Sequence, residues 1–254
     1  MIQTRVIPCL LLRNRGLVKT IKFRGPTYLG DPINAVKIFN DKEVDELVFL
    51  DITATVENRK PSFRYVAEIA TECFMPLGYG GGIRAVEDIK TLVSLGVEKV
   101  IINSYAIENP SFISQAADFA GSQSVVVSID VKKNFIGKYE VFTHSGKKGT
   151  GLDPVKLAID MEKKGAGELL LNSIDRDGTM QGYDTEMIKR VTSAVGIPVV
   201  ACGGAGKVQD LVDAVKKGGA SASAAGSFFV FQGQHRAVLI SYPSAQTLQE
   251  AFKD

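Results

Sequence analysis

Residues 168–184 read ELLLNSIDRDGTMQGYD. The apolar run Leu169, Leu170, Leu171 enters an acidic, glycine-containing turn holding Asp175, Arg176, Asp177, Gly178 and Thr179. Asp184 then opens an amphipathic stretch. This is the pattern of a strand, a loop rich in hydrogen-bonding groups, and a helix. A similar unit stands earlier, at residues 46–53 (ELVFLDIT), so that Glu168 and Glu46 are 122 residues apart (168 − 46). Gly81-Gly82 recurs as Gly203-Gly204 at the same offset, 203 − 81. Asn103-Ser104 is matched by Gly226-Ser227 at 123 (226 − 103). One half-unit written twice is the expected organisation.

Strand-like runs occupy residues 5–12, 46–51, 75–79, 99–103, 124–130, 168–173, 198–202 and 222–226. Most are continuously apolar, as strands buried on both faces should be. Helical periodicity fills the gaps. Asp31-Pro32 and Asp153-Pro154 are cap-plus-proline starts. Ile33, Val36 and Phe39 give the first apolar face, Phe63, Val66, Ala67 and Ala70 the second, and Val86, Ile89, Leu92 and Val93 the third. Eight strands alternating with helices in two similar halves predict a single (β/α)8 barrel domain over residues 1–254, with a doubly wound parallel sheet as the alternative.

Composition narrows the function classes. The 254 residues are 45% hydrophobic and 23% charged, with 30 basic and 28 acidic residues mixed along the chain for a net charge of +2. No basic stripe marks a nucleic-acid binder. No signal-peptide pattern or apolar run of about 18 residues marks export or a membrane span. Cys9, Cys73 and Cys202 lie in apolar segments without a CxxC pair, which suits a reduced cytoplasm. No metal-ligand spacing appears, and no cofactor is called for.

In a barrel of this kind chemistry belongs at the C-terminal strand ends. Those ends hold Leu11, Asp51, Gly81-Gly82, Asn103-Ser104, Asp130, Asp175 to Asp177, Gly203-Gly204 and Gly226-Ser227. The two glycine clusters, each followed one strand later by a small hydroxyl residue, predict two phosphate-binding loops for a substrate with a phosphate at each end. Asp130 closes an apolar strand and is the candidate catalytic carboxylate, expected to be exposed to the mouth. Asp177-Gly178 also reads as a plain turn. Arg5, Glu46, Lys99 and Glu168 open strands at the opposite end, where they could form a ring of salt bridges.

Seven segments carry a family resemblance: VIPCL at 6–10, DELVFLDITA at 45–54, GGGI at 80–83, VVVSID at 125–130, SGKKGTG at 145–151, SIDRDGTMQGYDTEMI at 173–188 and GGAGK at 203–207. Together they resemble the cyclase subunit of imidazole glycerol phosphate synthase, through about Phe231. The resemblance implies a (β/α)8 barrel in a heterodimer with a glutamine amidotransferase. Ammonia from that partner crosses a gate and the barrel interior to a doubly phosphorylated acceptor. It further implies Arg5, Glu46, Lys99 and Glu168 as the gate and Glu98 as a partner contact. Asp130 becomes one of two catalytic aspartates. Gly81, Gly82, Asn103, Ser104, Asp177, Gly203, Gly204, Gly226 and Ser227 become substrate and phosphate ligands, and Lys19 and Phe23 fit a mobile first loop.

The departure is in the first strand. The family reads CLDVKDGRVVKG, whereas this chain reads CLLLRNRGLVKT from Cys9 to Thr20. Leu11 therefore replaces the second catalytic aspartate, and leucine neither donates nor accepts a proton. Some members of the family lie in surface-polysaccharide (lipopolysaccharide) pathways associated with converting an acetamido sugar to an acetamidino sugar. An acetamido nucleotide sugar is thus the expected acceptor. A separate ATP-using protein would activate the amide, since no GxxxxGK[ST] loop is present. Two alternatives stand beside it. One is ordinary histidine-pathway cyclisation with Asp51 or Asp177 substituting for the missing aspartate, and the other is an inactive scaffold that activates the glutaminase.

Overall fold

The computed structural model describes residues 4–233 and 235–253. Its eight core strands are β1 (Arg5–Arg13), β2 (Leu47–Asp51), β3 (Leu77–Gly80), β4 (Lys99–Ile102), β5 (Val125–Lys133), β6 (Glu168–Ser173), β7 (Val199–Cys202) and β8 (Ala222–Ala225). Each runs parallel to the next. β8 returns to β1, with Arg5 opposite Ala222. The sheet is therefore closed, a (β/α)8 barrel, and closure excludes the doubly wound alternative.

The apolar runs serve two cores at once. Side chains alternate along a strand, so Leu10, Phe49, Val127, Leu169 and Ala201 face the surrounding helices. Ile7, Val48, Ile101, Val126, Leu170 and Val200 face inward and fill the barrel. That double burial is why the strands read as continuous rather than alternating hydrophobics.

The longer helices are α1 (Pro32–Asp41), α2 (Phe63–Glu72), α3 (Val86–Ser94), α4 (Ser111–Ala120), α5 (Pro154–Lys163), α6 (Thr185–Thr192), α7 (Val208–Lys216) and α8 (Ala245–Lys253), and short helical turns occupy Ser104–Glu108 and Ser227–Val230. Asp31 and Asp153 cap α1 and α5 by accepting from Ile33 N and Val155 N. Asp184 caps α6 through Met187 N at 3.1 Å. In α2 Tyr65, Val66 and Ile69 are fully buried, the expected Phe63 and Ala70 are half-buried against the same core, and Val93 of α3 is exposed.

Two strands outrun their predicted ends. β1 continues to Arg13 and β5 to Lys133 because each is prolonged by an antiparallel hairpin. Residues Gly16–Ile21 pair with β1 and are paired in turn by Arg24–Gly30. Tyr139–Thr143 pairs with β5. Those hairpins satisfy backbone groups that an ordinary loop would leave to water, and they build walls around the C-terminal mouth. The chain end folds back over the other side: Tyr242 donates its hydroxyl to Val6 O at 2.8 Å and stacks on Phe229.

Candidate functional site

The C-terminal strand ends surround one cavity of about 1190 Å³, its open mouth included. Gly81, Gly82, Asn103 and Ser104 line one side, and Gly203, Gly204, Gly226 and Ser227 line another. Gly81 has φ +123°, and a Cβ there would stand 2.6 Å from Asp51 O, so this turn accepts only glycine. Both loops are pinned in the same manner. Asp88 Oδ2 accepts from Arg84 N and Ala85 N at 3.1 and 3.0 Å, and Asp210 Oδ2 accepts from Gly206 N and Lys207 N at 2.8 and 3.1 Å. The acid sits in the first turn of α3 or α7 and fixes the loop just before it.

Asp130 lies within β5 and is only 8% exposed, against the expectation of a carboxylate open to the mouth. The hairpin strand Tyr139–Thr143, which places Phe142 opposite it, supplies the cover. Neither neighbouring lysine pairs with it: Lys132 lies over the Phe142 ring and Lys133 over Tyr139. Asn103 Nδ2 instead donates to Asp130 Oδ2 at 3.3 Å and to Ser128 O at 2.9 Å. Burial, reinforced by the negative charge of Asp177 and opposed by a hydrogen bond from Ser128, pushes the Asp130 carboxyl up to about 7. A group so placed can exchange a proton near neutrality. Leu11 lines the same cavity and contributes no such group.

Lys19 does not lie in an open loop. It belongs to the hairpin strand Gly16–Ile21, is buried, and donates from Nζ to Asp177 Oδ1 at 2.6 Å. Thr20 Oγ1 donates to Asp177 Oδ2 at 3.1 Å, and Lys22 N to Asp177 O at 2.9 Å. Asp177-Gly178 is thus a turn and a buried anchor together. Phe23 stands at the hairpin tip with φ +61°. Arg236, from the segment where the resemblance weakens, reaches back to donate to Gly178 O at 2.9 Å and Ser227 Oγ at 3.4 Å. Asp51 is fully engaged as well, accepting from Thr53 N, Thr53 Oγ1 and Ala54 N and facing Arg59 Nη2 at 3.3 Å.

At the opposite end four charges close into a ring. Arg5 Nη1 meets Glu46 Oε2 at 2.5 Å, and its Nη2 donates to Glu168 Oε1. Lys99 Nζ lies 2.8 Å from Glu46 Oε2 and 2.7 Å from Glu168 Oε2. Each cation touches both acids. Burial disfavours the Arg5 charge, but hydrogen bonding and attraction from Glu168 and then Glu46 hold its guanidinium above the ordinary value. Between ring and mouth lies the inward layer of Ile7, Val48, Ile101, Val126, Leu170 and Val200. Glu98, next to Lys99, is exposed on the ring side.

Comparison with known proteins adds the lineage. The family described as histidine biosynthesis protein matches residues 5–236. The chain belongs to that family. It is 53% identical over 248 residues to a Pseudomonas aeruginosa protein provisionally named imidazole glycerol phosphate synthase subunit hisF2, covering 98% of this chain and 99% of that one. A Leptospira interrogans protein, provisionally named imidazole glycerol phosphate synthase subunit HisF, is 51% identical over 253 residues, covering 99% and 100%. The imidazole glycerol phosphate synthase subunit HisF of Alkaliphilus metalliredigens is 48% identical over 229 residues, covering 90% and 91%. Sequence reading put Asp130 and the glycine loops at the mouth and the four ring charges at the floor, as the structure has them; it noted Thr20 only as a departure from the family pattern, where glycine is usual after Lys19, and passed over Asn172 and Arg236. Asn172 alone left a signal, as a polar residue ending a run of three leucines.

Proposed function

We propose that this barrel receives ammonia from a glutamine amidotransferase docked on the ring side and delivers it at the mouth to an acetamido nucleotide sugar, in surface-polysaccharide synthesis. The observation that carries the reading is Leu11 in the cavity with Asp130. Related cyclases use two aspartates, and here one wall of the site is an aliphatic side chain. The two residues that could substitute are committed elsewhere, Asp51 to its own loop and Arg59, and Asp177 to Lys19 and Thr20. Cyclisation with lyase cleavage needs both an acid and a base, each contributing about 10²–10⁴-fold. One carboxyl with a pKa near neutrality suffices for a simpler addition.

The chemistry balances with ATP as co-reactant. A separate ATP-using protein phosphorylates the amide oxygen, ammonia attacks the activated carbon, and phosphate leaves with that oxygen. The C=O becomes C=NH, and Asp130 relays the proton lost from nitrogen. The Arg5, Glu46, Lys99 and Glu168 ring is the gate. Beyond it the apolar layer admits neutral ammonia and disfavours ammonium, because an unpaired charge is costly there. Glu98 is a partner contact, and the two glycine loops with Asn103, Ser104 and Ser227 hold the acceptor's phosphates.

The test is single-turnover cyclase activity on the imidazole glycerol phosphate precursor with saturating ammonium. The native chain is expected to be inert and Leu11→Asp to gain turnover that Asp130→Asn abolishes. Native turnover equal to that of Leu11→Asp would return the protein to histidine synthesis. Reconstitution with its amidotransferase and ATP-using protein should then convert an acetamido nucleotide sugar to the acetamidine, read by mass spectrometry.

A further inference from the structure

The hairpin that covers Asp130 ends in an apolar tip. β5 runs on to Lys133, opposite Tyr139, and residues 134–138 turn the chain back. At the apex Phe135 is fully exposed and Ile136 is 86% exposed, the two most exposed large apolar side chains among the described residues. An exposed apolar pair rimmed by polar residues marks an interaction site.

The rim is cationic. Lys133 and Lys138 are exposed on the two legs, with Lys132 half-buried beside them. Residues 131–139 (VKKNFIGKY) contain no acid, and Asp175, which reaches this leg, accepts from Lys133 N at 2.9 Å. Lys22 and Arg24 on the first hairpin are exposed too, as are Lys147 and Lys148. A Cβ at Gly146 would meet the Phe23 ring at 2.9 Å, so the first hairpin adjoins the loop that carries those two lysines. Cations mixed along the sequence are thus gathered by the hairpins on the mouth side.

The backbone of the tip decides the kind of partner. Asn134 Oδ1 accepts from Ile136 N and Lys138 N at 3.1 and 2.9 Å. Gly137 N donates to Asn134 O at 2.9 Å, and Asn134 N to Lys138 O at 2.8 Å. Four of the five N–H groups of residues 134–138 are therefore closed within the loop. A protein partner supplies hydrogen bonds to a loop it covers. The interior of a bilayer supplies none, so a segment that enters lipid has to satisfy its own backbone. Lysine stems beside it can lie along apolar surface while their heads stay at the headgroups.

We propose that this tip is a membrane contact: Phe135 and Ile136 enter the acyl boundary of an anionic bilayer while Lys133 and Lys138 rest on its phosphate headgroups. Binding of this kind grows with buried apolar area and with attraction to anionic lipid, and two side chains make it reversible. The mouth side then faces the bilayer. The ring of Arg5, Glu46, Lys99 and Glu168, at the other end of the barrel, stays open to a protein partner. The inference does not depend on which acceptor the mouth takes.

The experiment is co-sedimentation of the full chain with vesicles of phosphatidylcholine alone and of phosphatidylcholine mixed equally with phosphatidylglycerol. The native protein is expected to partition roughly tenfold or more in favour of the anionic vesicles, and less as salt is raised. Phe135→Ser combined with Ile136→Ser should reduce that partition by roughly tenfold or more. Lys133→Gln and Lys138→Gln should each reduce it about fivefold. Thermal unfolding of the apolar double variant should match native, since both side chains lie outside the core. The chain has no tryptophan, so Phe135→Trp reports on the tip alone, and its emission should shift to the blue when anionic vesicles are added. Three results overturn the proposal: no preference for anionic vesicles, binding that survives loss of both apolar side chains, or an unshifted emission from the tryptophan variant. A change in the oligomeric state of the lipid-free protein on removing the two side chains also overturns it, by assigning the tip to a contact between chains.

Discussion

Lys19 Nζ and Asp177 Oδ1 meet at 2.6 Å although their residues are 158 positions apart in sequence, and both side chains are more than nine-tenths buried. The pair ties the first hairpin to the loop after β6 across the mouth. It also sets the field at Asp130, because the charge of Asp177 contributes to raising that carboxyl. Thr20 and Lys22 N complete the coordination of Asp177, so nothing there is left unsatisfied.

A single truncation of this pair strands a buried charge. Lys19→Met should lower the stability to urea by about 3–5 kcal/mol, with little dependence on salt. Lys19→Met combined with Asp177→Leu should recover part of that loss, since two apolar groups need no partner. A double-mutant cycle showing strict additivity would mean that the pair contributes nothing.

Asp130 gives a pH signature. Its folded carboxyl titrates near 7, above the unfolded value, so between those two values the native state binds the extra proton. Native stability therefore rises as pH falls from about 7 to about 4, and the destabilisation from the ionised group is fully present above the folded value. Asp130→Asn should be more stable than the native protein at pH 8, and the gap should narrow steadily from pH 7 downward and close only below the unfolded carboxyl value of about 4. Urea melts at a series of pH values measure this, and a constant difference across the range would contradict it.

The floor ring predicts a division between stability and transfer. Lys99→Ala leaves Glu46 and Glu168, both buried, sharing Arg5 alone. The variant should be less stable by about 1–3 kcal/mol. With the amidotransferase bound, it should release more ammonia to bulk solvent per glutamine hydrolysed. Ammonium-driven activity at the mouth should stay near native. Equal losses with glutamine and with ammonium would remove the ring from the transfer path.

Gly203 is held at φ +87° with Ser173 O 2.8 Å from where a Cβ would be. Gly203→Ala should cost about 1–3 kcal/mol, lowering the midpoint of thermal unfolding by roughly 2–4 °C per kcal/mol in a chain of this size. Unchanged melting would show that the loop adapts freely.

Much of the frame was legible in the chain. The apolar runs located all eight strands within a few residues, Asp31, Asp153 and Asp184 cap the helices they were expected to start, and the paired glycines line one cavity. The two hairpins were not anticipated. Residues Gly16–Ile21 and Tyr139–Thr143 are short, mixed segments whose pairing is set by the strands they extend rather than by a period of their own. Their absence from the reading is why Lys19 was placed on a loop and Asp130 in solvent.

By itself the sequence determined what each position can do chemically. Leucine at position 11 cannot move a proton, glycine at 81 and 203 admits backbone that other residues resist, and continuously apolar runs must serve two cores. Only the tertiary structure decided how those groups behave. Closure of β8 on β1 brought residues from distant segments to one mouth, the hairpin beside β5 withdrew Asp130 from water, and β6 left Asn172 Oδ1 without a donor. The physical reason is that desolvation and hydrogen-bond completion belong to neighbours, and strand register chooses the neighbours.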